Sequence, residues 1–206
     1  MKELLTRDDF AKAMSMDLAP DVIDNIMGMA APVLLSDAFW IWPASVQGKD
    51  GKTKHHGELG GLARHTLEVL VYSLAAASAF IDDETLKLDL TALIVAAIWH
   101  DMGKMDEYTV SSNPAGPTGS ILSSRNEEAF LLSHIVRGIS HWAVFARDKG
   151  IDQKFVDHVT HIIASHHGRR EWGSPVVPQT IEAMLVHQAD MLSVMTDGGG
   201  NPNLRS

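Results

Sequence analysis

The run Leu90-Thr91-Ala92-Leu93-Ile94-Val95-Ala96-Ala97-Ile98-Trp99 carries no charge, and the next two residues are His100 and Asp101. A helix here, read as Thr91 to about Lys104, is apolar on every side, and such a helix has to be enclosed by other elements. The run is about half of the roughly 20 residues that a bilayer span requires, so it reads as a core helix. A chain of 206 residues is long enough to surround it within one domain.

The remaining segments read as helices that can do the enclosing. Thr6 caps a helix from about Arg7 to Met16, with Asp8 and Asp9 in its first turn. Pro20 suits the first position of a helix reaching to about Leu35. After Phe39-Trp40-Ile41-Trp42-Pro43, a polar stretch to Gly57 reads as a loop. Gly60-Gly61 opens a long helix from Leu62 to about Phe80. Glu107 to Leu122 reads as a loop, with a short hairpin at Tyr108-Thr109-Val110 as the one strand signal. Ser124-Arg125-Asn126-Glu127 fits a capping box, which predicts a helix from Arg125 to about Arg147. Asp152 starts another, ending at Gly168, which suits a left-handed cap. The last helix runs from about Thr180 to Met195. The expectation is an all-α chain: residues 1–42 a helical extension packed on the core, 43–196 the functional domain, and 197–206 a loose tail.

Composition narrows the chemistry. With no cysteine there is no disulfide framework, no thiolate metal site and no cysteine nucleophile. A net charge of −9 repels polyanions and argues against a long nucleic-acid footprint. The first residues lack the apolar core of a signal peptide, and no run reaches membrane length. A cytoplasmic protein with no membrane partner is therefore expected. Histidine is abundant, at 11 residues, and it is the commonest metal ligand.

The histidines fall in an informative order: His65, then His100-Asp101, His134, His166-His167, and finally Asp190. Each lies on a different predicted helix or at its end. Imidazole and carboxylate suit Mn, Fe, Co, Ni, Zn or Mg. A carboxylate can also bridge two ions, which in two-metal hydrolysis sit about 3.5–4 Å apart. Neighbouring side chains on a helix diverge by about 100°. His100 and Asp101 can thus reach one ion only if the helix end projects into the site. Gly103, just beyond, permits close backbone approach. A lone histidine on an apolar helix is more often a core residue than a ligand, but that account does not extend to five elements in this order.

Other residues leave two readings open. His55 and His56 either contact a phosphate or base, or belong to a solvated loop. Arg169 and Arg170 either bind an anionic substrate or complement a helix C-terminus. His187 lies three residues before Asp190, placed to orient it, and His161 reads as core. Trp40 and Trp42 either stack on a nucleobase or form an aromatic core cluster. The Met-rich stretch Ile23 to Ala30 offers a subunit interface for a homo-oligomer.

The phrases Arg64-His65-Thr66-Leu67-Glu68, His100-Asp101-Met102-Gly103-Lys104, Ser133-His134-Ile135, Ala164-Ser165-His166-His167-Gly168, Glu171-Trp172-Gly173-Ser174-Pro175 and His187-Gln188-Ala189-Asp190 together resemble the HD-domain phosphohydrolase superfamily. Within it they resemble the HD domain of the YhaM-type 3′→5′ exoribonucleases. The resemblance covers about residues 43–195. It implies a helical bundle with a metal site in its core. It implies His65, His100, Asp101 and Asp190 as core ligands, with Asp101 as the bridge, and His134 and His166 as the extra histidines of a two-metal branch. His167 is left as a ligand or a substrate contact. Lys104 matches the lysine of His-Asp-x-Gly-Lys proteins, where it would neutralise substrate charge. The implied cofactor is one or two divalent ions that activate a water.

The resemblance is incomplete. Relatives of that type carry an OB-type nucleic-acid-binding domain before the HD domain, and the leading residues here read as too few and too helical for one. The Gly-Tyr-Pro phrase of the cyclic-dinucleotide phosphodiesterases is replaced by Trp172-Gly173-Ser174-Pro175. These departures and the net charge tilt the expectation toward a small nucleotide substrate, as in a dNTP/NTP triphosphohydrolase or a nucleotidase. A 3′→5′ exonuclease on short RNA or DNA ends is the alternative. A diiron oxygenase and a nucleotide sensor are non-hydrolytic alternatives.

Overall fold

The computed structural model describes residues 5–15, 18–46, 55–83, 85–112, 121–126 and 131–196. Four short helices lead: α1 (Arg7–Met14), α2 (Pro20–Met29), α3 (Ala31–Leu34) and α4 (Asp37–Ile41). Then come α5 (Gly61–Ala77), α6 (Leu90–Trp99) and α7 (Lys104–Glu107), followed by strands β1 (Tyr108–Ser112) and β2 (Ile121–Arg125). The chain continues through α8 (His134–Lys149), α9 (Gln153–Ser165), a 3₁₀ turn at Arg170–Trp172, and α10 (Ile181–Thr196).

The all-apolar helix is the axis of the bundle. Every residue of α6 from Ala92 to Trp99 is buried. Helices α5, α9, α10 and α2 pack around it, the enclosure that an apolar helix requires. Its start is fixed by Asp89, whose carboxylate accepts from the Ala92 amide at 2.9 Å. The Asp89 amide in turn donates to Glu182 of α10 at 2.7 Å. Near its end, the Trp99 indole donates to the Met29 carbonyl at 3.0 Å, which ties α2 to the core. Phe10 and Met14 of α1 and Ile26 of α2 belong to the same apolar cluster as Leu93 and Ile94.

Three boundaries differ from the sequence reading. The helix from Pro20 breaks at Ala30, because Pro32 in the first turn of α3 has no amide to continue the ladder. The core helix stops at Trp99 instead of reaching Lys104, and residues 100–103 form turns closed by Met102 N to Trp99 O (3.1 Å) and Lys104 N to Asp101 O (3.0 Å). The third difference is larger. Ser124 and Arg125 do not open a helix but lie in β2, opposite Thr109 and Tyr108 of β1, and the Thr109 and Ser124 hydroxyls bond at 2.8 Å. The capping-box phrase matched a local pattern, while the partner strand lies outside any helical window. Its Glu127 falls outside the described residues, as do the loop at 47–54 and the tail from 197. The helix begins at His134 with Ser133 as its cap, and the hairpin is an addition to an otherwise helical bundle.

Leu93→Ala is expected to cost about 2–5 kcal/mol, the range for truncating a fully buried leucine. Val71→Ala, on a side chain that is 42% exposed, should change stability by no more than about 0.5 kcal/mol. Urea denaturation of both variants checks the assignment of α6 as the core.

Candidate metal centre

The early stop of α6 is what makes the site. His100 is the residue that closes α6, and His166 closes α9 in the same way. The last carbonyls of a helix have no partner within it, and each of these imidazoles supplies one: His100 Nδ1 donates to Ala97 O and His166 Nδ1 to Ile163 O, both at 2.7 Å. Fixing Nδ1 as the donor leaves each Nε2 as a lone pair directed away from the helix. Both rings are fully buried and meet edge to face at 5.0 Å between centroids.

Asp101 lies between them, 1% exposed, and its two oxygens face different donor groups. Oδ2 is 3.2 Å from His65 Nε2 and 3.3 Å from His100 Nε2. His65 Nε2 is also 3.1 Å from Asp190 Oδ1, and Lys104 Nζ donates to Asp101 Oδ2 at 2.5 Å. Oδ1 faces the other way, 3.5 Å from His134 Nε2 and 3.7 Å from His166 Nε2. Their ligand atoms form two groups that could each hold an ion: His65, His100 and Asp101 in one, His134, His166 and His167 in the other. The structure thus brings together the residues of the histidine series, from α5, the α6 and α9 ends, the start of α8, and α10.

The donors fit a divalent cation by a criterion independent of their identity. Asp101 Oδ1, His134 Nε2 and His166 Nε2 are buried without a hydrogen-bond partner. Buried polar atoms are costly when unmet. These three converge on one point, where a cation would satisfy them together.

Surrounding groups hold the donors in place. His65 Nδ1 bonds Ser193 Oγ at 2.9 Å, Ser193 donates to Glu68 Oε2 at 2.8 Å, and His56 Nε2 reaches the same oxygen at 3.0 Å. On the other side, Glu107 Oε2 receives both His134 Nδ1 (3.0 Å) and the His134 amide (3.1 Å), and Glu107 Oε1 pairs with Arg125 Nε at 3.2 Å. Gly103 allows this: a Cβ there would lie 2.0 Å from the His134 carbonyl oxygen, so any side chain would separate Asp101 from His134.

The centre opens into a cavity of about 310 Å³ lined by Lys104, Tyr108, Arg125, His134, His167 and Asp190 among others. A second hollow of about 280 Å³ shares Arg125, His134, His167 and Trp172 with it, so together they form a trough. A larger hollow, about 740 Å³ beside Met29, Phe145 and Phe155, is lined by none of the donors.

Several candidate residues lie elsewhere than the trough. His56 is buried and its ring turns to Glu68 and Ser193, whereas its neighbour His55 lines the cavity. Trp42 donates to the Tyr108 carbonyl at 3.2 Å, and Trp40 packs on Phe10 and Phe39. Arg169 and Arg170 are exposed, and Arg169 lies over the Trp172 ring at 4.9 Å. His187 donates to the His166 carbonyl at 2.7 Å, so it holds the end of α9 and not Asp190. His161 is half-buried, not core, and accepts from the Gln179 amide at 3.0 Å. The sequence reading gave no site role to Glu107, Arg125, Trp172, Ser193 or Glu68. Spacing could have found two of them, since Glu68 follows His65 and Ser193 follows Asp190 by three residues on one helix face.

A helical bundle whose core gathers histidines and aspartates from several elements around one carboxylate defines a class of helical folds with a candidate metal site in the core. The chain belongs to the HD-domain family, whose pattern matches residues 62–195. It is 33% identical over 138 residues to the protein named 3′-5′ exoribonuclease YhaM of Bacillus subtilis (strain 168), which covers 67% of this chain and 40% of that protein. The protein of the same name from Listeria welshimeri is 31% identical over 156 residues, covering 76% of this chain and 44% of the relative. The chain therefore spans less than half the length of these curated relatives. No solved structure gives a significant match. Among the described residues no helix is long and apolar enough to cross a membrane.

Without metal, the charges settle unevenly. Burial works against a charged His65, but hydrogen bonds to Asp101 and Asp190 outweigh it and raise its pKa to about 9. Burial and the nearby Lys104 lower His55 to about 4. Burial and neighbouring imidazoles lower His166 and His167. A raised histidine stabilises the fold below the free value of 6.5, and that gain is lost as pH rises toward 9. Lowered histidines withdraw stability as pH falls below 6.5. The Tm of EDTA-treated protein should therefore peak near pH 6.5 and fall on both sides; a Tm that keeps rising to pH 9 would contradict the protonated His65. Ser193→Ala should weaken binding of Mn²⁺ or Co²⁺, measured by calorimetry, by about 10–100-fold through the loss of His65 orientation.

Proposed function

We propose that the chain is a metal-dependent phosphodiesterase acting at the 3′ end of a short single-stranded nucleic acid. The observation that carries the reading is Asp101, whose two oxygens each face a separate histidine group, buried behind Lys104, His134 and Asp190, which line the trough. The donor set His65, His100, Asp101 and Asp190 would hold one ion; His134 and His166, with Asp101 shared and His167 beside them, would hold a second. With divalent ions bound, the site would gain an activated water near neutral pH and Lewis-acid stabilisation of phosphoryl oxygens.

The chain's own residues supply the rest. Lys104 is held protonated: burial opposes its charge, but Asp101 and its other neighbours raise its pKa above the ordinary lysine value. It acts by charge, neutralising a phosphoryl oxygen as negative charge builds. Asp101 and Asp190 are kept ionised well below the usual carboxylate range; burial opposes this, and Lys104 and the histidines around Asp101, with His65 beside Asp190, outweigh it. Arg125 adds positive charge at the mouth of the trough, where a phosphate arrives.

The relatives named exoribonucleases and the open trough support a strand end over the free nucleotide favoured by net charge. A free nucleotide is the second reading, supported by the net charge of −9 and by a cavity of about 310 Å³, near the lower limit for small-ligand pockets. Product analysis separates them: protein with Mn²⁺, Co²⁺ or Mg²⁺ is offered NTPs, dNTPs, NMPs and a 5′-labelled oligonucleotide. A ladder of shortened oligonucleotide with intact nucleotides is expected; cleavage of nucleotides alone would establish the second reading. Asp101→Asn should abolish metal binding and hydrolysis together. Lys104→Gln should lower kcat by about 10²–10³-fold, the cost of removing one charge-stabilising donor, with metal affinity largely kept.

A further inference from the structure

Trp172 is an exposed aromatic side chain at the edge of the candidate site. Its relative exposure is 47%, and it lines both hollows of the trough beside His134 and His167. Its position is fixed from behind. The Trp172 carbonyl accepts from His167 Nδ1 at 2.8 Å, so the backbone carrying the indole is tied to one of the clustered histidines. The Arg169 guanidinium lies 4.9 Å from the ring centroid, and the ring also packs at 6.3 Å from His187. Gly173, in the left-handed region at φ 93°, ends the 3₁₀ turn and lets the indole stand out from it. Single exposed apolar residues are common and need no explanation. This one differs in being held next to a trough lined by Lys104 and Arg125, by contacts that leave about half of the residue exposed.

Arg125 is the second element, and it lines the same two hollows. Its side chain is 51% exposed, and its Nε is held by Glu107. The hairpin delivers it: Arg125 pairs with Tyr108 at the base of β1–β2, directly after α7. Glu107 thus joins Arg125 to His134, so the cationic end of the hairpin is set in register with the donor group.

We propose that Trp172 and Arg125 form a clamp for an unpaired nucleotide next to the scissile phosphate. The indole stacks on its base and the guanidinium binds a backbone phosphate. The inference rests on the phosphodiesterase reading above and names the binding groups within it. Stacking needs a base freed from pairing, which selects single strands, and it tolerates any sequence because every base has a π-face. A positive group beside an aromatic platform is the pairing that such strands bind.

The test measures binding separately from cleavage, by fluorescence anisotropy with a labelled single-stranded oligonucleotide in EDTA, while shortening of the same strand is followed in a parallel reaction with Mn²⁺. Companion oligonucleotides lack the base at the 3′-terminal or the penultimate residue. Trp172→Ala should weaken binding of the intact strand by about tenfold or more and have no further effect on the companion whose missing base it contacted. Arg125→Gln should lower the slope of log K against log salt by about one phosphate contact, roughly 0.7, while Trp172→Ala leaves that slope unchanged. Equal loss by Trp172→Ala on intact and base-free strands, an unchanged salt slope in Arg125→Gln, or no strand binding by the wild-type protein would each overturn the clamp. A wild-type protein that binds the strand with this dependence but does not shorten it would keep the clamp and reject the phosphodiesterase reading.

Discussion

The burial of the Asp101 carboxylate is the constraint on which the rest depends. Taking an ionised carboxylate out of water is expensive unless it is paired and hydrogen-bonded. Here a lysine one turn on and four imidazoles crowd it. The elements that carry donors therefore meet at one point: α6, α8 and α9 end or begin there, while α5 and α10 pass it with His65 and Asp190 inside the helix. The early stop of α6, the cap of α9, the close approach allowed by Gly103 and the placement of the α8 start all follow from that requirement.

The same arrangement separates the two oxygens into different environments. One is met by the lysine and two histidines. The other faces two imidazole nitrogens that have no protein partner. A centre designed only for packing would not leave three buried polar atoms converging without a partner, since apolar replacements would cost less. The second layer shows similar economy: the helix carbonyls that would go unmet orient His100 and His166, and Ser193 with Glu68 and Glu107 with Arg125 orient His65 and His134.

Much of this was legible in the chain. The all-apolar run from Leu90 placed the core, Asp152 and Pro20 marked helix starts, and Gly60-Gly61 opened α5, because each depends on neighbours within a turn or two. The order of histidines pointed to the donors for the same reason, since one residue type at the ends of several helices is a linear signal. The hairpin was misread at Ser124-Arg125 because their strand partners, Thr109 and Tyr108, lie fifteen and seventeen residues away, which no local phrase reports. Arg125 and Trp172 stand in phrases read for other reasons, and their place beside the site was not legible: it comes from the trough they share.

The sequence by itself determined the buried axis, most helix starts and a set of candidate donors, the first two from side-chain chemistry and periodicity within one element, the last from the order of histidines and a family resemblance. Only the tertiary structure decided which oxygen of Asp101 meets which histidine, that His56 and His187 support neighbours instead of facing the trough, and that Arg125 and Trp172 stand at its mouth. Those facts are distances between residues far apart in the chain, set by how helices and a hairpin pack around a buried charge.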